Sequence, residues 1–209
     1  MAKLLHIQSS PRGNRSASIA VAKRFLEAYR AAHPGDTVET LDLWQAKLPE
    51  FDGATLDAKY AVLNGQPHSP EQLAAWKAVV AIADHFKSAD KLVVSLPMWN
   101  FSIPYKLKHY FDLLAQPGLT FSFTPAEGYQ GLVTGKPLVV IYARGGAYGP
   151  GTGAEGYDQQ SVYLKQFFGF IGFTGIREIF VESTLSGPAA KDAAVAAASQ
   201  TASELAAKF

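Results

Sequence analysis

The sequence contains no cysteine. Disulfides, cysteine-ligated zinc, iron–sulfur clusters and a cysteine nucleophile are therefore excluded, the last including the phosphate-loop cysteine of small tyrosine phosphatases. Long apolar runs are missing as well, because no stretch reaches the roughly 18 consecutive apolar residues of a membrane span. The N-terminus also lacks an apolar segment of signal-peptide length. We therefore expect a cytoplasmic protein with no membrane segment.

An excess of charge of one sign is also lacking. The 19 Lys and Arg residues balance 18 Asp and Glu residues, and no basic run occurs, so nothing indicates nucleic-acid binding. The five histidines are dispersed, with no pair at ligand spacing, and no metal site is predicted. With 48% apolar and 18% charged residues, the composition is that of a globular protein, and we expect one domain over residues 1–209.

The glycine signatures of common nucleotide sites are absent too. The loop at residues 9–18 follows a short apolar run and has one glycine, Gly13, matching neither G-x-G-x-x-G nor G-x-x-x-x-G-K-[ST]. It runs into a helical pattern, so it presents hydroxyls and free backbone N–H groups at a helix N-terminus, where the macrodipole favours an anion. A phosphate group suits this loop, although Ser- and Asn-rich loops after strands commonly serve only as turns and caps.

What the chain does contain is a regular alternation of strands and helices. Apolar patterning predicts strands at 4–7, 37–42, 91–96, 135–143 and 176–181. Helical spacing predicts helices at 16–32, 69–88, 105–115, 158–172 and 188–209. A small hairpin is expected at 119–125, and a long connection at 43–70 with a short helix near 57–63. This alternation predicts an α/β, flavodoxin-like, doubly wound parallel sheet of order 2-1-3-4-5 with helices on both faces.

Three unusual loops would meet in that topology. The first, third and fourth strands are neighbours, so the loops that follow them emerge side by side at the carboxyl edge, where such sheets bind ligands. The second loop offers aromatic, thioether and amide groups at 98–101, and the third has five glycines in residues 144–153. A ligand with a phosphate at one end and a planar polar heterocycle at the other would use all three loops. Flavin mononucleotide (FMN) is such a ligand.

Several motifs along nearly the whole chain carry a family resemblance. They are Ser9-Ser10, Ser16-Ala17-Ser18, Pro97-Met-Trp-Asn-Phe101, Leu107-Lys-His-Tyr-Phe-Asp-Leu113, Thr120-Phe121, Gly131-Leu-Val-Thr-Gly-Lys136, Arg144-Gly-Gly146 and Phe168-Gly-Phe-Ile-Gly172. In this order they resemble the FMN-dependent NADH azoreductases. The resemblance implies a flavodoxin-like homodimer with two FMN sites, each completed by residues of the partner subunit.

The resemblance also implies a set of FMN-binding residues. Serines would hold the phosphate, the Met-Trp-Asn-Phe tract would run along the isoalloxazine, and the Arg-Gly-Gly tract would meet its polar edge. The implied residues are Ser10, Ser16, Ala17, Ser18, Met98, Trp99, Asn100, Phe101, Ala143, Arg144, Gly145 and Gly146. Family members often have Ser at position 143, so Ala143 leaves only main-chain contact possible there.

The activity implied by the resemblance is ping-pong hydride transfer from NADH or NADPH through tightly bound FMN to quinones or azo compounds. The cofactor carries that chemistry, so no catalytic side chain is predicted. Two other functions stay open. One is a flavodoxin-type electron-transfer protein without its own NAD(P)H activity, which the net charge of +1 disfavours because such proteins are usually strongly acidic. The other is a hydrolase of phosphoesters on the same fold, which the absence of cysteine and of metal-ligand clusters disfavours.

Several individual residues can be interpreted as having either a structural or a functional role. Arg144 is interpreted either as a solvated turn residue or as a group that steers an anionic nucleotide. His6 is expected to be structural in a buried strand, and His109 to lie on an exposed helix face. The aromatic residues Phe121, Phe123, Phe167, Phe168 and Phe170 are expected mainly in the core, with some of them at the substrate pocket or the dimer interface.

Overall fold

Seven strands and six α-helices make up the chain, which a computed structural model describes over residues 1–209. The strands are β1 Lys3–Gln8, β2 Thr37–Asp42, β3 Lys91–Pro97, β4 Phe121–Thr124, β5 Gly128–Gly131, β6 Leu138–Ala143 and β7 Ile176–Val181. The helices are α1 Ala17–Ala32, α2 Gly53–Leu63, α3 Pro70–Lys87, α4 Tyr105–Leu114, α5 Gln159–Ile171 and α6 Pro188–Ala206. Each predicted strand and helix is thus present, within a few residues of its expected ends.

Five of the strands form one parallel sheet in the order β2-β1-β3-β6-β7. This is the predicted order 2-1-3-4-5 once β4 and β5 are set aside, because those two strands form a separate antiparallel hairpin. A hairpin outside the main sheet is confirmed, but the predicted residues 119–125 supply only its first strand, and the second lies at Gly128–Gly131. Strand β2 is an edge strand as expected.

The two faces of the sheet bury different helices. Alternate strand residues point to opposite faces, so Leu4 and Val93 pack with α1 and α6. Their neighbours Leu5 and Leu92 pack with α3, α4 and α5. The larger of these two cores has 23 buried residues and the smaller has 15. The three central strands β1, β3 and β6 are buried on both faces, which explains their nearly continuous apolar sequences, whereas the edge strands β2 and β7 alternate with polar residues.

Short polar residues set the helix ends that matter for the site. The Ser16 hydroxyl accepts a hydrogen bond from the Ile19 N–H at 3.5 Å and starts α1. Asp158 caps α5 through the Ser161 N–H at 2.9 Å, and Gly172, with φ of 117°, ends that helix in the left-handed region. The helix predicted near 57–63 begins earlier, because Asp52 caps it through the Thr55 N–H.

The aromatic expectations are met in part. Phe167 and Phe168 are buried, as predicted for the core. Phe123 is 56% exposed and contacts Tyr129 across the β4–β5 hairpin, so it lies outside the core of the chain, and its place at the substrate pocket or the dimer interface stays a prediction. No helix combines the length and the apolar character needed to cross a membrane.

Candidate functional site

A cavity of about 290 Å³ opens at the carboxyl edge of the sheet. The loop after β1 contributes Ser10, the loop after β3 contributes Met98 and Trp99, and the end of β6 contributes Ala143 and Gly145. The convergence of three loops that the strand order predicts is therefore present. The cavity lies over the carboxyl ends of β1, β3 and β6 and so includes the point between β1 and β3 where the direction of winding reverses, which is the usual ligand position in such sheets.

The residues implied by the family resemblance divide into two groups. Those that line the cavity are Ser10, Ser16, Ala17, Met98, Trp99, Ala143 and Gly145. Those that do not are Ser18, Asn100, Phe101, Arg144 and Gly146. Sequence reasoning missed a further set of lining residues, namely Arg12, Arg15, Pro97, Thr184, Leu185 and Lys191. Ligand binding by any of these residues stays a prediction at this point.

The end of the cavity formed by the first loop is rich in hydrogen-bond donors. Ser10 and Ser16 are almost fully buried, and the Ser16 hydroxyl lies 3.1 Å from that of Ser18. The start of α1 adds N–H groups that have no intrahelical partner. Buried hydroxyls and a helix N-terminus together suit an anionic group.

The second loop turns sharply within four residues. The Trp99 N–H donates to the Ser102 carbonyl at 3.0 Å, and the Ser102 N–H donates back to the Trp99 carbonyl at 2.9 Å. Between them Asn100 and Phe101 have φ values of 46° and 70°, which is the pattern of a type I′ turn. Asn tolerates that conformation, whereas a phenylalanine there is strained. Such strain is typical of functional loops, and it sets the direction of Trp99.

Three aromatic side chains form a cluster beside the cavity. The Trp99 ring centroid lies 5.8 Å from that of Trp44 and 6.2 Å from that of Tyr105. The Trp44 indole N–H donates to the Ser9 carbonyl at 3.0 Å, which ties the cluster to the first loop. Trp44 lies in the segment with no readable pattern, so nothing in its sequence context pointed to the site.

A second cavity of about 720 Å³ adjoins the first and shares Trp99 with it. Asn100, Tyr105, His109 and Tyr163 line it, together with Glu50, Phe51, Ser102, Ile103, Lys108 and Asp112. His109 is only half-exposed because its Nε2–H donates to the Pro49 carbonyl at 2.8 Å, so the expectation of an exposed face is wrong.

Arg144 does not reach the cavity at all. Its guanidinium donates two hydrogen bonds to Asp158, both at 2.9 Å, and others to Glu182 and Gln160 at 3.2 and 3.0 Å. The side chain is 2% exposed and stacks on Phe180 at 4.4 Å. Both earlier interpretations, a solvated turn residue and a group that steers an anion, are wrong. The reason is that two carboxylates neutralise the buried guanidinium.

The Arg144 cluster also shapes the third loop. Glu182 accepts a further hydrogen bond from the Tyr148 N–H at 3.0 Å, and the Arg144 carbonyl accepts from the Thr184 hydroxyl at 2.8 Å. Although burial by itself raises the pKa of Asp158, hydrogen bonds from Ser161 and the charge of Arg144 bring it below its ordinary value. The loop is thus held by ionised groups.

A chain of polar contacts lies beneath the first loop. The His6 Nε2 lies 2.8 Å from the Ser95 hydroxyl, and the Ser95 carbonyl accepts from the Ser9 N–H at 3.0 Å. Burial lowers the pKa of His6 from 6.5 to about 4, so the imidazole is neutral near pH 7. This confirms the structural interpretation of His6.

Comparison with known proteins agrees with this architecture. A family model described as "Flavodoxin-like fold" matches residues 2–206. An "FMN-dependent NADH:quinone oxidoreductase" of Nitratidesulfovibrio vulgaris (strain DP4) is 55% identical over 187 residues, covering 90% of this chain and 89% of that protein. A protein of the same name from Desulfotalea psychrophila (strain LSv54 / DSM 12343) is 48% identical over 206 residues, covering 99% of this chain and 97% of that protein.

Solved structures agree as well. A crystal structure of an FMN-dependent NADH-azoreductase from Bacillus anthracis str. Ames Ancestor, in complex with FMN, has a TM-score of 0.88 at 32% identity, covering 99% of this chain and 100% of that one. Fold and cavity together define a flavodoxin-like α/β protein with a cavity at the carboxyl edge of the sheet, where such sheets usually bind ligands. Within that class, the chain belongs to the family of FMN-dependent NADH:quinone oxidoreductases and azoreductases.

Proposed function

We propose that this protein is an FMN-dependent oxidoreductase that transfers reducing equivalents from NADH or NADPH to quinones and azo compounds, the latter with reductive cleavage of the azo bond. The observation that carries the proposal is the single cavity that joins a donor-rich end to an aromatic end at the edge of the sheet. The names of the similar proteins support it.

The donor-rich end fits the phosphate of FMN. Ser10 and Ser16 contribute buried hydroxyls, and Ala17 and Ser18 contribute the first N–H groups of α1. A phosphomonoester carries three acceptor oxygens and a charge of about −2, so it can accept all of these donors. We therefore assign these four residues to the phosphate.

The other end fits a flat ring with a polar edge. Met98 and Trp99 offer thioether and aromatic surface, and Ala143 contributes main chain beside them. The N–H groups of Gly145 and Gly146 donate no hydrogen bond within the protein, whereas their carbonyls accept from Leu185 and Ser183. A free N–H donor at Gly145, in the same cavity as the Trp99 ring, suits the polar edge of an isoalloxazine.

Three of the residues implied by the family resemblance are assigned a positioning role instead of a contact with the ring. Asn100 and Phe101 complete the turn that orients Trp99, and Asn100 also lines the larger cavity. Arg144 contributes through the backbone position that it gives to Gly145, because its own side chain is fully engaged elsewhere. We propose that these residues position the site rather than bind the ring.

FMN, when bound, would supply the two-electron redox chemistry that links NADH to the acceptor, so that one NADH reduces a quinone, whereas cleavage of an azo bond to two amines takes four electrons and therefore two NADH. The protein contributes orientation and electrostatics. Trp99 separates the two cavities, so a planar reactant in the 720 Å³ cavity would lie beside the ring site. The free N–H group of Gly145, which lines the cavity, would stabilise negative charge that develops at the ring edge. No side chain is assigned as a general acid or base.

We further propose that residues 1–209 act as one domain and that two copies form a homodimer. The match of the family model over residues 2–206 supports the first part. Exposed aromatic side chains support the second, since Tyr105, Phe123 and Tyr129 are 61%, 56% and 65% exposed. Sedimentation equilibrium should give the mass of a dimer with two FMN molecules, and a monomer at all concentrations would contradict this part. A cytoplasmic location is proposed because NADH is a cytoplasmic metabolite.

The activity is tested by colour and by kinetics. Purified protein should be yellow, bleach with NADH alone and recover its colour with a quinone. Bleaching only with a separate reductase would favour the electron-transfer alternative, and a colourless protein that FMN does not reconstitute would reject the proposal. Steady-state rates with both nucleotides, against one quinone and one azo dye, then establish the preferred substrates.

A further inference from the structure

Three cationic side chains surround the donor-rich end of the cavity. Arg12 and Arg15 come from the loop before α1, and Lys191 comes from the first turn of α6. We propose that Arg12, Arg15 and Lys191 form a cationic clamp that recognises a phosphomonoester dianion and makes the site select phosphorylated over unphosphorylated flavin. The inference rests on the proposed function, but it concerns residues that the family resemblance does not include.

The charges that line the cavity are all of one sign. No Asp or Glu is among its lining residues, so the three cations have no counter-charge there. None of the three side chains makes a salt bridge or a hydrogen bond within the protein. By contrast, Arg144 in the third loop is paired with two carboxylates, those of Asp158 and Glu182. Arg12 and Arg15 are exposed and Lys191 is half-buried, so the absence of partners alone is ordinary. What suits an anionic ligand is the grouping of three cations, without a carboxylate, around the buried hydroxyls of Ser10 and Ser16.

The fold holds these cations together although they are far apart in sequence. Helix α6 packs along α1, with Ala198 and Ala202 in the same core cluster as Val21 and Phe25. Both helices begin at the carboxyl edge of the sheet, so the first turn of α6 lies beside the start of α1. Lys191 therefore reaches the cavity that Ser10 and Ser16 line.

The hydroxyls and the cations have different tasks. The buried hydroxyls of Ser10 and Ser16 are neutral and fix the position of oxygen atoms at short range. The cations add a longer-range attraction that depends on ligand charge and weakens with salt. A phosphomonoester carries about −1.5 to −2 charges near pH 7, opposite in sign to the three cations. Riboflavin has the same ring without that charge, so it isolates the contribution of the clamp.

The test is a pair of titrations with FMN and riboflavin into the full chain freed of flavin, followed by quenching of flavin fluorescence. In Lys191→Gln and Arg15→Gln, the Kd for FMN should rise by about three- to tenfold each, because each removes one charge-assisted contact. The Kd for riboflavin should stay unchanged. Lys191→Arg keeps the charge and should retain most of the preference for FMN.

Two further measurements separate charge from shape. The preference for FMN over riboflavin should shrink between roughly 20 and 300 mM salt in the wild type, and less so in the double variant Arg15→Gln/Lys191→Gln. Inorganic phosphate should compete with FMN in the wild type and compete more weakly in that variant. Arg24→Gln is the matched control, because Arg24 lies on α1 outside the cavity and pairs with Glu27.

Each outcome decides one of the two proposals. Equal losses for FMN and riboflavin, or an unchanged ratio of their Kd values, would overturn the clamp while leaving the flavin site in place. A wild-type chain that binds neither flavin would overturn the proposed function, and the clamp with it. Thermal unfolding of each variant identifies any loss that comes from misfolding.

Discussion

Arg144 is buried between two carboxylates and an aromatic ring, and its residue type alone gave no indication of this. Its guanidinium makes hydrogen bonds to Asp158, Glu182 and Gln160 at 2.9 to 3.2 Å. Removing the cation would leave two partly buried carboxylates without their partner. The stability of the third loop therefore depends on this one side chain.

The expected effect of Arg144→Gln is a loss of about 3 kcal/mol in the free energy of unfolding, since breaking a buried ion pair leaves an uncompensated charge. Arg144→Lys should recover only part of it, because an ammonium group cannot make the bidentate contact with Asp158. Urea denaturation measures both. Arg24→Gln, at an exposed pair, should change stability by less than about 0.5 kcal/mol. Equal effects at the two sites would contradict the assigned role.

His6 makes the stability of the protein depend on pH. Its pKa is lowered by burial to about 4, below the value of 6.5 expected in the unfolded chain. The folded state therefore binds fewer protons than the unfolded state between these values. The stabilisation that results is fully present above about pH 6.5 and is lost as the pH falls towards about 4.

Urea denaturation at about pH 7.5 and about pH 4.5 should therefore differ by about 2.5 kcal/mol from His6 alone. His6→Gln removes the titrating group but leaves a polar side chain near the Ser95 hydroxyl. The variant should be less stable than the wild type at the higher pH and lose less on acidification. Parallel pH profiles for the two proteins would rule out this origin of the pH dependence.

At the scale of elements, the β4–β5 hairpin is attached to the end of α5 by a contact between two glycines. A Cβ built on Gly131 would lie 2.3 Å from the Gly172 nitrogen, which is backbone and cannot move aside easily. The Val133 N–H donates to the Ile171 carbonyl at 2.8 Å beside this contact. The hairpin position therefore requires residue 131 to lack a side chain.

Gly131→Ala should lower the free energy of unfolding by about 2 to 3 kcal/mol, because the added methyl group forces the hairpin away from α5. Gly169→Ala is the matched control. It lies in the last turn of α5 with no atom within 4 Å of the added carbon, so the substitution should raise stability by up to about 1 kcal/mol. Thermal unfolding of both variants tests the contact. A neutral Gly131→Ala would show that the hairpin moves freely.

At the scale of the whole molecule, the cavity joins loops from three separate strands, so a ligand that fills it should stabilise the entire fold. FMN at about 100 times its Kd should add about 2.7 kcal/mol to the free energy of unfolding. For a chain of this size, that corresponds to a rise in Tm of roughly 5 to 10 °C. Adenosine monophosphate, which has the phosphate without the flavin ring, should give a much smaller shift. An unchanged Tm with FMN would contradict a site at this edge.

Much of the architecture was predictable because its causes are local in sequence. Strands buried on both faces have continuous apolar runs, and helices show caps such as Ser16 and Ser69 followed by apolar spacing. The long connection after β2 was harder, because α2 has few apolar residues in a clear helical pattern and is started by a single cap at Asp52. That the start of this connection places Trp44 against Trp99 could not be inferred from composition.

By itself, the sequence determined the alternation of strands and helices, the parallel sheet and the three loops at its carboxyl edge, because periodicity and capping act between near neighbours. Only the tertiary structure decided that Lys191 reaches the start of α1, that Trp44 contacts Trp99, and that Arg144 turns away from the cavity to Asp158. These outcomes depend on how helices pack across the sheet and on which charges become buried together. Such contacts join residues far apart in the chain, and no local pattern encodes them.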